Sequence, residues 1–372
     1  MKNPSFPDYS RNICALADEI MWVFGLGEHQ SSLNLGLSGR KKIAMVVLDG
    51  FGWNVFSRLD LQKDHDVRKS MSVFPSTTAT ALVSMLTGLP PGSHGIIGYR
   101  TFSKQAGGLI KPLEFTYAFT HRSETLGQIG EMRDMFKADT LIHKLAKRKV
   151  RSTVFNPSFI QGSSYSDFLF SHAKYRTGYD NIWDALYLYK KELETGKSRF
   201  VFLYIPYIDT LEHVYGNSHE ITTSAASYIL NKLLDINVRN KKNVASIITA
   251  DHGHTDIEED INLGSDAALM KKLEIPPYGD GRAPLFRSRA DIRQELSKYD
   301  MEVLEKGYNQ RLFGRIDGSV ADILPDFVGL PGNNKSYYYR YNLRPKVKEK
   351  GRQASNHGGL SQDEMEIPLI IV

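Results

Sequence analysis

The chain has 372 residues, of which 41% are hydrophobic, 24% charged and 11% aromatic, and its formal net charge is +5. This suits a globular protein with a sizeable core, and the lack of low-complexity tracts or a recurring unit excludes disordered and repeat architectures. One cysteine, Cys14, excludes an intramolecular disulfide framework; the scattered basic residues, clustered only at Lys144–Arg151 and Arg344–Arg352, read as solvated surface, so no stable nucleic-acid complex is expected.

In chain order, the first 25 residues lack an uninterrupted apolar stretch and carry Asp8, Asp18 and Glu19, unlike a secretory signal. No apolar run approaches the roughly 20 residues needed to span a bilayer, so the expectation is a cytoplasmic protein without membrane attachment. The Gly-rich "GLGEHQSSLNLGLSG" (25–39) lacks the preceding strand of a phosphate-binding loop. "KKIAMVVLDG" (41–50) is a continuous apolar run ending in Asp-Gly, the pattern of a strand buried on both faces. "FPSTTATALVSMLTG" (74–88) sets hydroxyl residues before a small-residue apolar run. As an isolated pattern it fits a helix capped by Ser76 or Thr77 as well as an exposed nucleophile. His94, in "GSHGI", reads as a hydrogen-bonding structural residue, and residues 99–122 alternate like a hairpin around Gly107-Gly108, a small lid.

Further apolar runs, "VRSTVFNP" (150–157), "RFVFLYIPYID" (199–209) and "NVASIITADHG" (243–253), alternate with helix-like segments, and "EIPLIIV" closes the chain as another strand. That alternation predicts βαβ units, a mostly parallel sheet and helices on both faces. Three runs end in or near acidic residues or histidine: Asp49, Asp209, and Asp251 with His252. Ligand sites of open parallel sheets lie at the carboxyl ends of strands, so these residues are expected on one rim. A texture richer in Pro, Gly, Arg and Tyr begins near Ile261 and predicts a cap inserted at about 262–349. Its "SYYYRYN" (336–342) reads as cap packing in preference to a base-stacking platform.

The pieces "VLDG", "DTLEH" (209–213), "TADHGHTD" (249–256) and "SNHGGL" (355–360) join the Ser-Thr-Thr run in a single inventory: three carboxylates, three imidazoles and a hydroxyl. Zinc accepts both imidazole nitrogen and carboxylate oxygen, and seven groups suffice for two ions. Singly, each piece is ordinary: an Asp ending a strand caps a helix, and Asp209 with His213 forms an i, i+4 ion pair. His254 and Asp256 fit exposed positions better than supporting ones. Their joint occurrence at strand ends favours metal.

Together, "VVLDGFG", "FPSTTATALVSMLTGLPPGSHGIIGYR", "YIPYIDTLEHVYG", "TADHG" and "HGGLSQDEMEIPLIIV" resemble the alkaline phosphatase superfamily, in particular its type I phosphodiesterase and nucleotide pyrophosphatase branch. The resemblance spans essentially the whole chain. It implies a single catalytic domain over 1–372, with an alkaline-phosphatase-like three-layer α/β core, a mostly parallel central sheet and the inserted cap. It also implies two divalent ions, zinc first and manganese second, one held by Asp49, Thr78, Asp251 and His252 and the other by Asp209, His213 and His357. Thr78 becomes the nucleophile because the branch places it nine residues before the Thr of "TG", here Thr87. A metal-held hydroxyl at a helix N-terminus suits attack on an anion, giving a phospho-threonine that water hydrolyses, with the ions expected about 3.5–4 Å apart.

One departure concerns substrate. The branch usually has Asn three residues after the nucleophile, where this chain has Ala81. The Ala79 backbone N–H, Arg100 in "GYR" and Arg282 in "GDGRAP" are the candidates to contact the phosphoryl group instead. The expected function is hydrolysis of phosphodiester or pyrophosphate bonds in a small phosphorylated substrate, nucleotides included. Asp49, Asp209, Asp251 and a Thr78 alkoxide would already balance two divalent ions, and a monoester dianion is harder to accommodate than a diester monoanion. The alternatives are a phosphomonoesterase, a phosphonate hydrolase, a metal-dependent phosphomutase and, last, a non-catalytic phosphate-ligand binder. Thr78 argues against a sulfatase-like enzyme, which needs Cys or Ser there.

Overall fold

The structure, a computed structural model, describes residues 4–27, 31–60, 65–341 and 353–372. The end of the expected cap, near 349, and the whole Arg344–Arg352 cluster lie outside the described residues.

The apolar runs form the centre of the molecule. Among the described residues one sheet has seven strands in the order Asp66–Met71, Glu366–Ile371, Val244–Thr249, Lys42–Leu48, Phe200–Ile205, Ser152–Pro157 and Tyr175–Tyr179. The 42–48 strand lies between 200–205 and 244–249 and runs parallel to both, with Val46 level with Leu203 and Ile248. All three are buried along their whole length, which accounts for their lack of polar alternation. Only the 366–371 strand runs against its neighbours, pairing antiparallel with 66–71 and 244–249. The two outermost strands, "DVRKSM" and "YRTGY", are half exposed and polar.

Helices pack on the sheet in two sets. Ala15–Val23, Thr78–Thr87 and Leu141–Lys147 touch one another, and the last packs on the 152–157 strand. Ile182–Thr195, Tyr207–Tyr215 and Glu220–Asn240 form the other set, packing on the 152–157, 200–205 and 244–249 strands. This is the α/β architecture with a mostly parallel central sheet that the alternation predicts.

A second sheet, all antiparallel, has the order Tyr278–Asp280, Ala283–Phe286, Phe327–Pro331 and Met301–Glu305, over its own buried cluster of Leu285, Leu312, Phe313, Val328 and Leu330. The strands Thr101–Ser103, Gly108–Lys111 and Thr116–Tyr117 form a third small sheet, joined to the second by mutual backbone bonds between Arg100 and Gly279. These additions overhang the carboxyl end of the central sheet.

Two short connections fix the loops there. Thr255–Asp256 pairs antiparallel with Ser355–Asn356, tying the segment after Asp251 to the segment before His357. Gly253 sits so close to Gly52 and the Asp363 carbonyl that a Cβ would lie 2.7 Å from the Gly52 Cα and 2.2 Å from the Asp363 oxygen. Only a residue without a side chain permits this crossing. Gly253→Ala is therefore expected to cost about 1–3 kcal/mol in urea unfolding, whereas Gly318→Ala, with open space around it, should be neutral or gain up to about 1 kcal/mol.

Candidate active site

Three segments follow the three central strands, and each brings a carboxylate. Asp49 follows the 42–48 strand directly; Asp251 follows 244–249 after one residue; Asp209 lies in the first turn of the 207–215 helix that begins just after 200–205. The Asp209 N–H donates to the Asp49 carbonyl at 3.0 Å, and the Gly50 N–H to Asp251 Oδ1 at 3.2 Å, so the loops hold one another. The carboxylates converge on the rim that parallel topology creates.

Imidazoles meet them. His252 Nε2 lies 3.4 Å from both Asp49 Oδ1 and Asp251 Oδ2. His213, one turn after Asp209 on the same helix face, places Nε2 3.3 Å from Asp209 Oδ1, and His357 Nε2 is 3.8 Å from that oxygen. The rings of His252 and His357 stack with centroids 3.9 Å apart. Thr78 opens the 78–87 helix, with Thr77 as its extended N-cap. Its Oγ1 lies 3.3 Å from Asp49 Oδ1 and 3.1 Å from His252 Nε2, joining the hydroxyl to the cluster. At a helix start the N–H groups of Thr78 and Ala79 have no partner within the helix and, with the dipole, favour an anion.

The histidine tautomers show what the cluster can hold. His213 Nδ1 is 3.1 Å from the Ser355 carbonyl, His357 Nδ1 3.0 Å from the Ser76 carbonyl, and His252 Nδ1 3.3 Å from the Gly253 carbonyl. A carbonyl only accepts, so in each ring Nδ1 carries the proton and the neutral imidazole turns its Nε2 lone pair inward. Three lone pairs thus face three carboxylates without a proton between them, and Asp251 Oδ2 is buried with no hydrogen-bond partner among the described residues. Burial and the neighbouring Asp251 and Asp209 raise the Asp49 pKa well above the usual carboxylate range. The donor chemistry fits divalent metal: Asp209 and three imidazoles form one group, and Asp49, Asp209 and His252 another.

Several participants give little signal in the sequence. His254, expected at an exposed position, is fully buried, because the 255–256 and 355–356 pairing covers it, and its Nε2 lies 2.8 Å from Asp209 Oδ1. Glu212, which the sequence reading does not single out, is fully buried beside it. Tyr204, an inward residue of the 200–205 strand, donates to Asp49 Oδ2, and Tyr165 donates to the Ala79 carbonyl at 2.9 Å. Asp280, from the second sheet, accepts from the Tyr99 N–H at 3.1 Å, and burial raises its pKa to about 6. His94 is buried with Nε2 2.8 Å from Ser84 Oγ, a structural hydrogen bond.

Thr77, Thr78, Asp209, His213 and His357 line a cleft of about 760 Å³. The lining also includes Tyr99, Arg100, Tyr278, Asp280 and Tyr337–Tyr341, so the tyrosine-rich stretch faces the cleft besides packing in its own layer. The Arg100 guanidinium lies between the rings of Tyr99 and Tyr341, 4.9 Å from each, and its Nε has no hydrogen-bond partner among the described residues.

Arg282 requires a correction. Its side chain is buried, with Nε and Nη2 donating to the two Glu364 oxygens at 3.3 Å and Nη1 donating to the Asn333 and Lys335 carbonyls at 2.6 and 2.5 Å. Four of its five N–H donors are engaged in the interior, and the residue does not line the cleft. Its role is to fix Glu364, which also accepts from the Gly359 N–H at 2.8 Å and so anchors the loop after His357.

Comparison with known proteins agrees with this architecture. The family model described as type I phosphodiesterase / nucleotide pyrophosphatase matches residues 43–359. By sequence, no curated protein matches the chain. Among solved structures, murine ectonucleotide pyrophosphatase / phosphodiesterase 5 is similar with a TM-score of 0.65 at 16% identity, covering 88% of this chain and 87% of that one. An inactive variant of the murine protein in complex with AMP has a TM-score of 0.63 at 16% identity, over 89% and 87% of the two chains. Phosphonoacetate hydrolase from Sinorhizobium meliloti 1021, in complex with phosphonoacetate, has a TM-score of 0.65 at 15% identity, over 90% and 91%. At such identities the structural likeness speaks for the fold.

Arg282→Ala should destabilise the protein by about 3–5 kcal/mol in urea unfolding by leaving the Glu364 carboxylate buried without its partner.

Proposed function

The chain belongs to the type I phosphodiesterase / nucleotide pyrophosphatase family, whose members are phosphoryl-transfer hydrolases, and on that premise we propose that it cleaves phosphodiester or pyrophosphate bonds of a small substrate with Thr78 as nucleophile. The observation that carries the reading is the place of Thr78 Oγ1: at a helix N-terminus, against Asp49 and His252, and open to the cleft.

Asp49, Asp251 and His252, with Thr78, would hold one divalent ion, and Asp209, His213 and His357 the other; zinc suits this mixed set best, with manganese the alternative. Bound ions supply a lower hydroxyl pKa and positive charge against the phosphoryl oxygens. The protein's own groups do the rest. The Thr78 hydroxyl points toward Asp49 Oδ1, which orients it. The hydroxyl proton leaves to solvent in the cleft, the oxygen attacks phosphorus in line, a new P–O bond forms, and the ester oxygen departs with its electron pair and takes up a proton from solvent. Water then cleaves the phospho-threonine and restores the hydroxyl. The Ala79 N–H at the helix start and Arg100 in the cleft lining donate to phosphoryl oxygens. The cap tyrosines line the side that the second ester substituent occupies. Small phosphorus ligands of that size are what two of the structural neighbours hold, AMP in one and phosphonoacetate in the other.

Thr78→Ala is expected to keep the fold by circular dichroism and to lose turnover by at least about 10³-fold, since nothing else in the pocket replaces the nucleophile. Thr77→Ala, which removes a hydroxyl bonded to Asp280, should cost less than about tenfold in kcat/KM. The reverse order of effects would move the nucleophile to Thr77.

For matched substrates sharing one leaving group, kcat/KM should be higher for the diester than for the monoester. A monoester preference would reassign the protein as a phosphomonoesterase.

A further inference from the structure

His254 repeats, one residue past the Asp-His-Gly turn, the arrangement of the three inward-facing imidazoles. Its Nδ1 lies 3.0 Å from Ser355 Oγ. The Ser355 hydroxyl proton goes to the Glu212 carbonyl at 2.7 Å, so Oγ is left to accept from His254 Nδ1–H. Nε2 then carries a lone pair, and it points at carboxylate oxygens: Asp209 Oδ1 at 2.8 Å and Glu212 Oε2 at 3.5 Å. Neither Glu212 oxygen has a hydrogen-bond partner among the described residues, and the side chain is completely buried. A Cβ on Gly50 would lie 2.7 Å from Glu212 Oε2, so the carboxylate is packed tightly against the Asp49-Gly50 turn. Acceptors at these separations, with no proton assigned between them, suit a cation held among them.

We propose that His254 is a fourth protein ligand to the divalent ion at Asp209, giving that position three imidazoles and one carboxylate, with Glu212 as the adjacent buried counter-charge. The inference rests on the two-metal reading above and extends it to residues the family resemblance does not bring in. The ligand atoms of Asp209, His213, His254 and His357 all lie within 4.8 Å of one another, and an ion bound at about 2.0–2.2 Å to each would draw them in to separations of about 3.3–3.6 Å. Four protein ligands make this position nitrogen-rich, which favours zinc over manganese or magnesium. They also leave substrate oxygen or water to enter by expansion to five-coordination. With Glu212 counted, four carboxylates match the charge of two divalent ions before Thr78 loses its proton, which weighs further against a dianionic substrate.

The test uses the full chain loaded with ¹¹³Cd. Proton–cadmium correlation spectra should link one cadmium to ring protons of three histidines and the other to one. His254→Gln should remove one histidine from the first set and weaken cadmium binding there by at least about tenfold in a chelator competition. Three unchanged correlations in His254→Gln, or a wild-type spectrum in which that cadmium sees only two histidines, would overturn the ligand role even if affinity fell, because His254 would then act on Asp209 only through a hydrogen bond. The wild-type spectrum decides the matter without depending on the variant's folding. Failure of wild-type protein to take up cadmium or zinc at all would overturn the two-metal reading itself, and with it this extension.

Discussion

Like charges gathered in one dry place are the constraint around which the molecule is arranged. Asp49, Asp209, Asp251 and Glu212 converge beneath overhanging loops, and burial together with the neighbouring carboxylates raises the Asp49 and Glu212 pKa values well above the usual carboxylate range. Arg58 acts on Glu212 from nearby, without a hydrogen bond to it. Arg282, the buried cation of this end of the molecule, is engaged by Glu364. The imidazoles are turned with their protons outward. The arrangement makes sense only when positive charge enters from outside the polypeptide, and the loops, the glycine crossing and the 255–256/355–356 pairing can be understood as the frame that keeps the repelling groups together.

That frame separates the two halves of the site. On the sheet side most of these groups are positioned by backbone, through strand ends, a helix face and carbonyls that accept from Nδ1, with Ser355 and Tyr204 supplying side-chain contacts to His254 and Asp49. On the far side the walls come from the second sheet and the three-stranded hairpin region, which meet at the Arg100–Gly279 bridge. On the proposed mechanism, chemistry would belong to the core and choice of substrate to the appended layer. With alanine at position 81, that mechanism would draw on main-chain N–H groups and on Arg100, whose guanidinium lies over two rings.

Much of the core was legible because its signals are local. A strand buried on both faces announces itself by an unbroken apolar run, and the residue at its end is named by the sequence. The edge strands 66–71 and 175–179 gave no such run, since half their surface meets solvent. His254 was misjudged for a related reason: a polar neighbourhood looks exposed until a strand a hundred residues away covers it, and Ser355 is what both covers and orients it. Glu212 is likewise buried by its surroundings, although the ligand helix that carries it could be anticipated. Arg282 shows the opposite error. An arginine in a Gly-rich loop looked free because Glu364, 82 residues along the chain, could not be paired with it from spacing.

The strand 366–371, inserted between 66–71 and 244–249 and opposed in direction to both, bears on how the protein is born. As the chain leaves the ribosome, the 66–71 and 244–249 strands exist for the whole synthesis of the 262–360 region with their facing edges unpaired. Open edges of apolar strands are templates for pairing with other chains. The interior of the sheet is closed only by this strand, so a chain cut before residue 366 leaves the buried, apolar 244–249 strand with an unpaired edge in the middle of its core.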